Sequence, residues 1–316
     1  MYVAPVFLTG RIESIVEELL MLYKYRSISA RTEEIITGRK VWLAEPATLN
    51  DPLECQVKSI TPEMIREHVR KVKNEQAVGF VMEAAFARKG GSTFYGLNNK
   101  QTKHLLNRIK FAKGFNKKYQ IMRDFYLYVG VPGFSSPEGY LNSIYAQLSE
   151  VGVFSLSEDP VNTLMWSHYG ESHRGIALGF DPVEGSDLAD ANKCREVIYS
   201  DDLSEFAFND GYAAAVTYFS DGSLESAVAF DDKQIQRAIF TKTTAWAYER
   251  EWRYVRRKAG PYDLPGPIAE VVFGAKCLPE IRAKYRELVS YTFGHSVKFR
   301  EAAFLPGTTT LELKDC

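Results

Sequence analysis

Two carboxylates two residues apart, Glu249 and Glu251, stand among aromatic and arginine neighbours in the string WAYEREWRYV at 246–255. In an extended strand, side chains at i and i+2 leave the same face, so one site could use both. In a helix the two would point about 200° apart and could not share a site. Two further strings gather polar groups in apolar, strand-like surroundings: LYKYRS at 22–27 and VFSLSEDPVNTLMWSHYGESHRGIALGF at 153–180. In the second, His168 and His173 lie near Tyr169, Glu171 and Arg174, residues suited to a general acid and base that cleave a phosphodiester without a metal. The same side chains could instead fix the loop through backbone hydrogen bonds, with Met165 and Trp166 as buried anchors. No His-x3-His pair or compact carboxylate cluster accompanies them, so no metal is expected.

The frame around these residues is that of an ordinary folded chain. With 316 residues, 45% hydrophobic content and a formal net charge of −1, the sequence supports a substantial core in one domain or two. Cys55, Cys194, Cys277 and Cys316 are scattered, without a CxxC pair, which argues against a zinc site or a disulfide framework and for a reducing cytoplasm. No run approaches the roughly 20 apolar residues of a membrane span. The first residues, with Pro5, Arg11 and Glu13 among them, do not read as a secretion signal.

Charge is unevenly distributed. Between residues 100 and 123 the fully charged side chains are all basic: Lys100, Lys103, Arg108, Lys110, Lys113, Lys117, Lys118 and Arg123. Residues 181–232 are acidic, opposed only by Lys193 and Arg195. Lys and Arg interleaved with Phe111, Phe115 and Tyr119 suit attraction to a nucleic-acid backbone combined with base stacking. The alternative is a solvated helix face that packs Leu105, Leu106, Ile109 and Ala112 inward.

Ile12, Ile15, Val16, Leu19 and Leu20 recur at helical spacing and predict an N-terminal helix leading into LYKYRS, a short strand or turn. Residues 41–43 read as a strand, and Asn50-Asp51-Pro52 as a turn whose Asp51 and later Glu54 could also serve a site. Thr61 followed by Pro62 opens a helical stretch that continues to about 148. Short strands are predicted at 151–157, 175–180, 197–199, 269–273, 297–304 and 309–313, with a helix over 278–291. Residues 201–244 read mostly as helix and loop, and 246–255 as the element that carries the two glutamates, on a strand or on a helix. Sheet-forming segments at both ends of the sequence with helices between them indicate an α+β fold.

At the level of whole blocks, LYKYRS, NDPLE at 50–54, MWSHYGESHRGIALGF at 165–180, VIYSDD at 197–202, KTTAWAYEREWR at 242–253 and EVVFGAKC at 270–277 resemble the successive signature blocks of a bacterial family, domain of unknown function 2971. The resemblance spans nearly the whole chain and implies a bacterial or phage-related protein. Members are often associated with phage defence or abortive infection.

A second resemblance concerns chemistry. Arg on an early strand, a Ser-x-Ser pair on a middle strand and a Glu-x-Glu pair on a later one is the order of the arginine-serine-glutamate ADP-ribosyltransferases, matched here by Arg26, by Ser155 and Ser157, and by Glu249 and Glu251. Carried over, Glu251 stabilises the oxocarbenium-like transition state as nicotinamide leaves, and Glu249 orients or activates the acceptor. Arg26 clamps a phosphate of NAD, Ser155 braces the site, and Tyr25 or Tyr169 stacks on nicotinamide. The segments separating these motifs are longer here than is usual in that class. The structural alternative makes Arg26 and Arg253 simple ion-pair partners of the glutamates, with the serines satisfying strand edges.

The resulting expectation is an α+β protein with a mixed-sheet ADP-ribosyltransferase-like core, 1–60 and 149–316, interrupted by a helical insertion at 61–148. Its expected activity is cleavage of NAD, as substrate, with ADP-ribose transfer to nucleic acid or protein, in a toxin or phage-defence role under the control of a neutralising or sensor protein. The competing expectations are a metal-independent RNase using His168, His173 and Glu251, and a non-catalytic module that grips nucleic acid through Lys103, Arg108, Lys110, Lys113, Lys117 and Lys118.

Overall fold

The computed structural model describes residues 21–55, 62–130, 137–202, 214–218 and 224–316. The N-terminal helix predicted over 12–20, and the Thr61 expected to cap the first long helix, lie outside these residues. In chain order the elements begin with β1 (Leu22–Arg26), α1 (Ala30–Gly38) and β2 (Lys40–Leu43), followed by four helices: α2 (Pro62–Lys89), α3 (Asn99–Phe111), α4 (Phe115–Tyr128) and α5 (Pro137–Glu150). Then come β3 (Gly152–Ser157), α6 (Thr163–His168), β4 (Ile176–Phe180), β5 (Cys194–Glu196), β6 (Ile198–Tyr199), β7 (Ala214–Tyr218), β8 (Leu224–Val228), α7 (Lys233–Ile239) and β9 (Thr241–Lys242). The chain continues through β10 (Glu251–Arg256), β11 (Gly260–Asp263), β12 (Ile268–Phe273), α8 (Pro279–Phe293), β13 (Lys298–Phe304) and β14 (Leu311–Asp315). The predicted α+β class is borne out.

Two sequence expectations need correction. Residues 214–218 and 224–228 form the antiparallel strand pair β7–β8, not helix and loop. The segment 246–255, read with both glutamates on a strand or on a helix, is instead a 3₁₀ turn over Thr244–Glu249, a left-handed Arg250 (φ 46°), and only then β10. Asp201 explains the difference. Its carboxylate accepts from both the backbone amide and the hydroxyl of Thr244 at 3.0 and 2.7 Å, anchoring the start of the turn and overriding the strand preference of the aromatic string.

The chain divides into two compact units. Unit 1 is Met1–Gly38, Leu156–Asp190 and Leu264–Cys316; unit 2 is Arg39–Ser155 and Ala191–Asp263. In unit 1, β4 is bordered by β1 and β12, both antiparallel to it, and its Ile176, Ala177, Leu178 and Phe180 are fully buried. An uninterrupted apolar strand such as IALGF belongs at the centre of a sheet covered on both faces. Parallel β12 and β13 are joined through α8, the crossover that parallel pairing requires, and β14 closes the edge antiparallel to β13. Tyr285 and Val289 of α8 are fully buried, while Lys284 reaches Glu33 of α1 at 2.7 Å.

The glycines of the GESHRG string permit close backbone approach. A Cβ on Gly175 would lie 2.2 Å from the Arg26 carbonyl oxygen, and one on Gly170 2.5 Å from the Trp166 ring. Between them Glu171, Ser172 and His173 all hold positive φ, a costly run for residues with a Cβ. Gly175→Ala is therefore expected to lose about 3 kcal/mol in urea unfolding, because β1 and β4 must separate. An unchanged unfolding midpoint would show that this contact is not tight.

Unit 2 contains the pair β2–β11, the strand β10 running beside β3 and β5, the short parallel pair β6–β9, and the helices α2–α5 and α7. One of its cores joins Ile144, Leu148, Val151, Val153, Ile235, Ile239 and Val255. The other joins Phe80, Ala84, Phe94, Leu105, Ile109, Met122 and Tyr126 from α2 to α4. Phe94 stacks on Phe125 at 5.4 Å, and α3 starts at a reciprocal cap in which Asn98 accepts from the Gln101 amide and Gln101 from the Asn98 amide. No helix among the described residues is long and apolar enough to cross a membrane.

Candidate functional site

Unit 2 buries five charged side chains against one another: Glu54, Lys242, Glu249, Glu251 and Arg253. They reach the cluster from four local structures. Glu54 ends the NDPLE turn, where the Asp51 carboxylate accepts from the Leu53 amide at 2.9 Å and the Asp51 carbonyl from the Glu54 amide at 3.1 Å. The predicted turn is thus real, and it also delivers a carboxylate. Lys242 ends β9, directly opposite Tyr199 of β6. Glu249 closes the 3₁₀ turn and Glu251 opens β10, with Arg253 two residues further along the same strand.

The spacing argument reached the right pair by the wrong geometry. Glu249 and Glu251 do not share a strand face. They meet because left-handed Arg250 reverses the backbone between them and sends its own side chain to solvent. Turn residues near φ +50° are uncommon outside glycine and asparagine, and no periodicity in the sequence announces one.

Lys242 Nζ sits 2.6 Å from Glu249, 2.9 Å from Glu251 and 3.2 Å from Glu54, and lies 5.0 Å from the centre of the Trp246 ring. An ammonium has three protons, and here each has a carboxylate. Arg253 donates from Nε to Glu251 at 2.9 Å, and its two terminal nitrogens donate to Glu54 and to the Ile239 carbonyl. Ser155 on β3 adds a hydrogen bond to Glu251, and the Tyr199 hydroxyl accepts from the Glu251 amide at 2.8 Å. Thr243 extends the network by donating to Asp51 at 3.2 Å.

The electrostatics follow from three acids facing two bases. Burial would raise the Glu251 carboxyl, but Arg253 and Lys242 outweigh it and hold the group down at about 2. Glu54 goes the other way, raised by burial and by repulsion from Glu251 more than Arg253 and Lys242 can offset. Burial disfavours the Lys242 ammonium, yet the three carboxylates raise its pKa above the ordinary lysine range. Burial, followed by nearby Glu251, pushes the Tyr199 phenol up to about 12. The physical picture is an ionised Glu251, a permanently charged pair of cations, and Glu54 as the acid most ready to keep its proton.

The other predicted residues are distributed over both units. Arg26 is a half-buried residue of β1 in unit 1. Its Nε is buried without a hydrogen-bond partner among the described residues, and burial together with neighbouring Arg31 lowers its pKa. Tyr25 is buried, meets Trp166 edge to face at 4.9 Å and donates to the Asp159 carbonyl. Ser157 is buried and accepts from the Asp159 amide at 3.2 Å, a turn-forming role. His173 is buried in unit 1 beneath Trp166 and Phe304, 3.3 Å from the Ser167 hydroxyl, and burial followed by Lys276 holds its pKa below the usual value. His168 is exposed at the end of α6, its ring against Tyr169. Lys103, Arg108, Lys110, Lys113 and Lys117 are exposed and Lys118 half-buried on or between α3 and α4. Leu105 and Ile109 face inward as expected of that helix.

Sequence reasoning assigned no role to Lys242, although it heads the block KTTAWAYEREWR. A lysine inside a buried aromatic and acidic string was the one available signal, since lysine is almost never fully buried unless paired.

Residues 165–254 match the model of a family described as Protein of unknown function (DUF2971), which bears out over that segment the resemblance read from the signature blocks. The match takes in the last four residues of α6, all of β4, Lys242, both paired glutamates and Arg253. No curated protein and no solved structure matched the chain.

Proposed function

We propose that the chain is an NAD-cleaving enzyme of ADP-ribosyltransferase type, with Glu251 as its catalytic carboxylate. The observation that carries this reading is Glu251 itself. It is an ionised carboxylate at the first residue of a strand, hydrogen-bonded to Ser155 of the neighbouring strand, with Glu249 two residues earlier facing the same ammonium. Within unit 2, Ser155 and Glu251 fall on the neighbouring strands β3 and β10, in the order that the arginine-serine-glutamate class has for its serine and glutamate.

In the proposed reaction the bond between nicotinamide and ribose C1′ breaks, and its electron pair leaves with nicotinamide. Glu251 stabilises the oxocarbenium character that develops on the ribose. A nucleophile of nucleic acid, protein or water then bonds to C1′, and Glu249 accepts its proton. No metal takes part. Because Glu249 is 4% and Glu251 1% exposed, the reaction requires the buried cluster to open to substrate. A toxin or phage-defence effector held closed by a neutralising or sensor protein is consistent with that requirement.

The same burial favours a second reading, in which the five charges only fix the fold of unit 2. Nicotinamide release from NAD separates the two. It should be measured for the native chain and for Glu251→Gln, with cell RNA, DNA and protein supplied as acceptors and with folding followed by circular dichroism. Release by the native chain that disappears in folded Glu251→Gln supports the enzyme. No release from folded native chain in any mixture overturns it in favour of the structural role.

A further inference from the structure

The helical part of unit 2 carries a second candidate site, and its argument stands whether or not the NAD reading holds. Between α3 and α4 lies an open cleft of about 620 Å³. One wall is a basic ladder on α3, where Lys100, His104 and Arg108 recur every four residues. Residues four apart on a helix stand about 6 Å from one another on one face, so the ladder presents two cations and an imidazole in a row. The other wall comes from α4, where Ile121, Phe125 and Tyr128 supply apolar and aromatic surface, with Asp124 the one acidic lining group.

The composition of these walls points to the ligand. Lys100, His104 and Arg108 are exposed, and Lys100 and Arg108 close no ion pair among the described residues. Tyr128 is 88% exposed beside the cleft, with its ring open to a ligand. The surrounding surface adds Lys103, Lys110, Lys113 and Lys117, so the field over the cleft is positive. A small anion would use the cations but not the aromatic wall, and an apolar peptide would use the wall but not the cations. A single-stranded nucleic acid uses both, with phosphates along α3 and a base against Phe125 and Tyr128. A duplex, with its bases stacked inside, would offer the aromatic wall nothing.

We propose that the α3–α4 cleft binds single-stranded nucleic acid, seating an unstacked base against Phe125 and Tyr128 while Lys100 and Arg108 hold the flanking phosphates.

The test is fluorescence anisotropy of the full chain with a labelled mixed-sequence RNA of about 12 nucleotides. The same sequence as single-stranded DNA, its RNA duplex, and polyglutamate serve as competitors. Tyr128→Ala is expected to weaken binding about tenfold, and Arg108→Ala about tenfold with a salt slope shallower by about 0.7. Both side chains are exposed, so neither change threatens the fold. The single strands should compete better than the duplex, and whichever single strand competes better identifies RNA or DNA as the preferred form. The proposal is overturned by no binding at low salt, by affinity indifferent to Tyr128→Ala, or by polyglutamate or duplex competing as well as the single strand, which would leave only a nonspecific basic face.

Discussion

Arg253→Met is expected to destabilise the protein by about 3–5 kcal/mol, read as a lower midpoint in urea unfolding. Arg253 is fully buried and is the main counter-ion of Glu251, besides anchoring Glu54 and the Ile239 carbonyl. Without it, Lys242 alone must neutralise three buried carboxylates. Breaking one partner of a buried ionic cluster costs far more than the cluster contributes to stability, because the remaining charge stays desolvated. Glu54→Gln should behave oppositely and change stability by less than about 1 kcal/mol, since it removes the surplus acid while keeping its shape. Equal damage from both substitutions would show that the charge balance inferred for the cluster is wrong.

The pH dependence supplies an independent reading. Glu251 titrates near 2 in the folded protein against an ordinary 4.5, so its contribution to stability is fully present above 4.5 and is lost as the pH falls from there toward 2. Glu54, raised by burial, opposes this and adds stability as the pH falls through the range just above 4.5. Lys242, raised by its three carboxylates, contributes fully below 10.5, and that contribution is lost as the pH rises beyond. Removing Arg253 should blunt the acid limb that Glu251 produces. Urea midpoints for native protein and Arg253→Met across this range measure it directly, and parallel curves would count against the assignment.

Glu251→Gln is expected to reduce nicotinamide release by a hundredfold or more. The amide occupies the same volume and can still accept from Ser155, but it no longer sets a full negative charge beside the developing cation. Glu249→Gln is expected to slow both hydrolysis of NAD and transfer to a macromolecular acceptor by about the 10²–10⁴-fold typical of a lost general base. A purely structural cluster predicts a different pattern, in which losses of activity follow losses of folded protein in every variant. Release measured beside circular dichroism at each temperature distinguishes the two.

Local sequence carried much of the architecture. The apolar run IALGF announced the buried β4, the alternation of Val41 and Leu43 with exposed neighbours marked β2, and Pro62 opened α2 as a first-turn proline should. Pairing two acids at 249 and 251 was also legible, because both lie in one short string. The segment 246–255 shows the limit of such patterns. Its aromatic residues do favour strands, but Asp201, more than forty positions earlier, captures Thr244 and winds the segment into a turn.

What the sequence by itself determined was therefore the α+β class, the elements with strong periodicity, and the chemical types available to a site. Only the tertiary structure decided that Glu54 meets Arg253, 199 positions away, and that one lysine binds three carboxylates. Periodicity records which face of an element is apolar, and it is silent about which buried charge will answer another. That choice is made when desolvation forces each ionised group to find a partner within reach, and reach is a property of the folded chain.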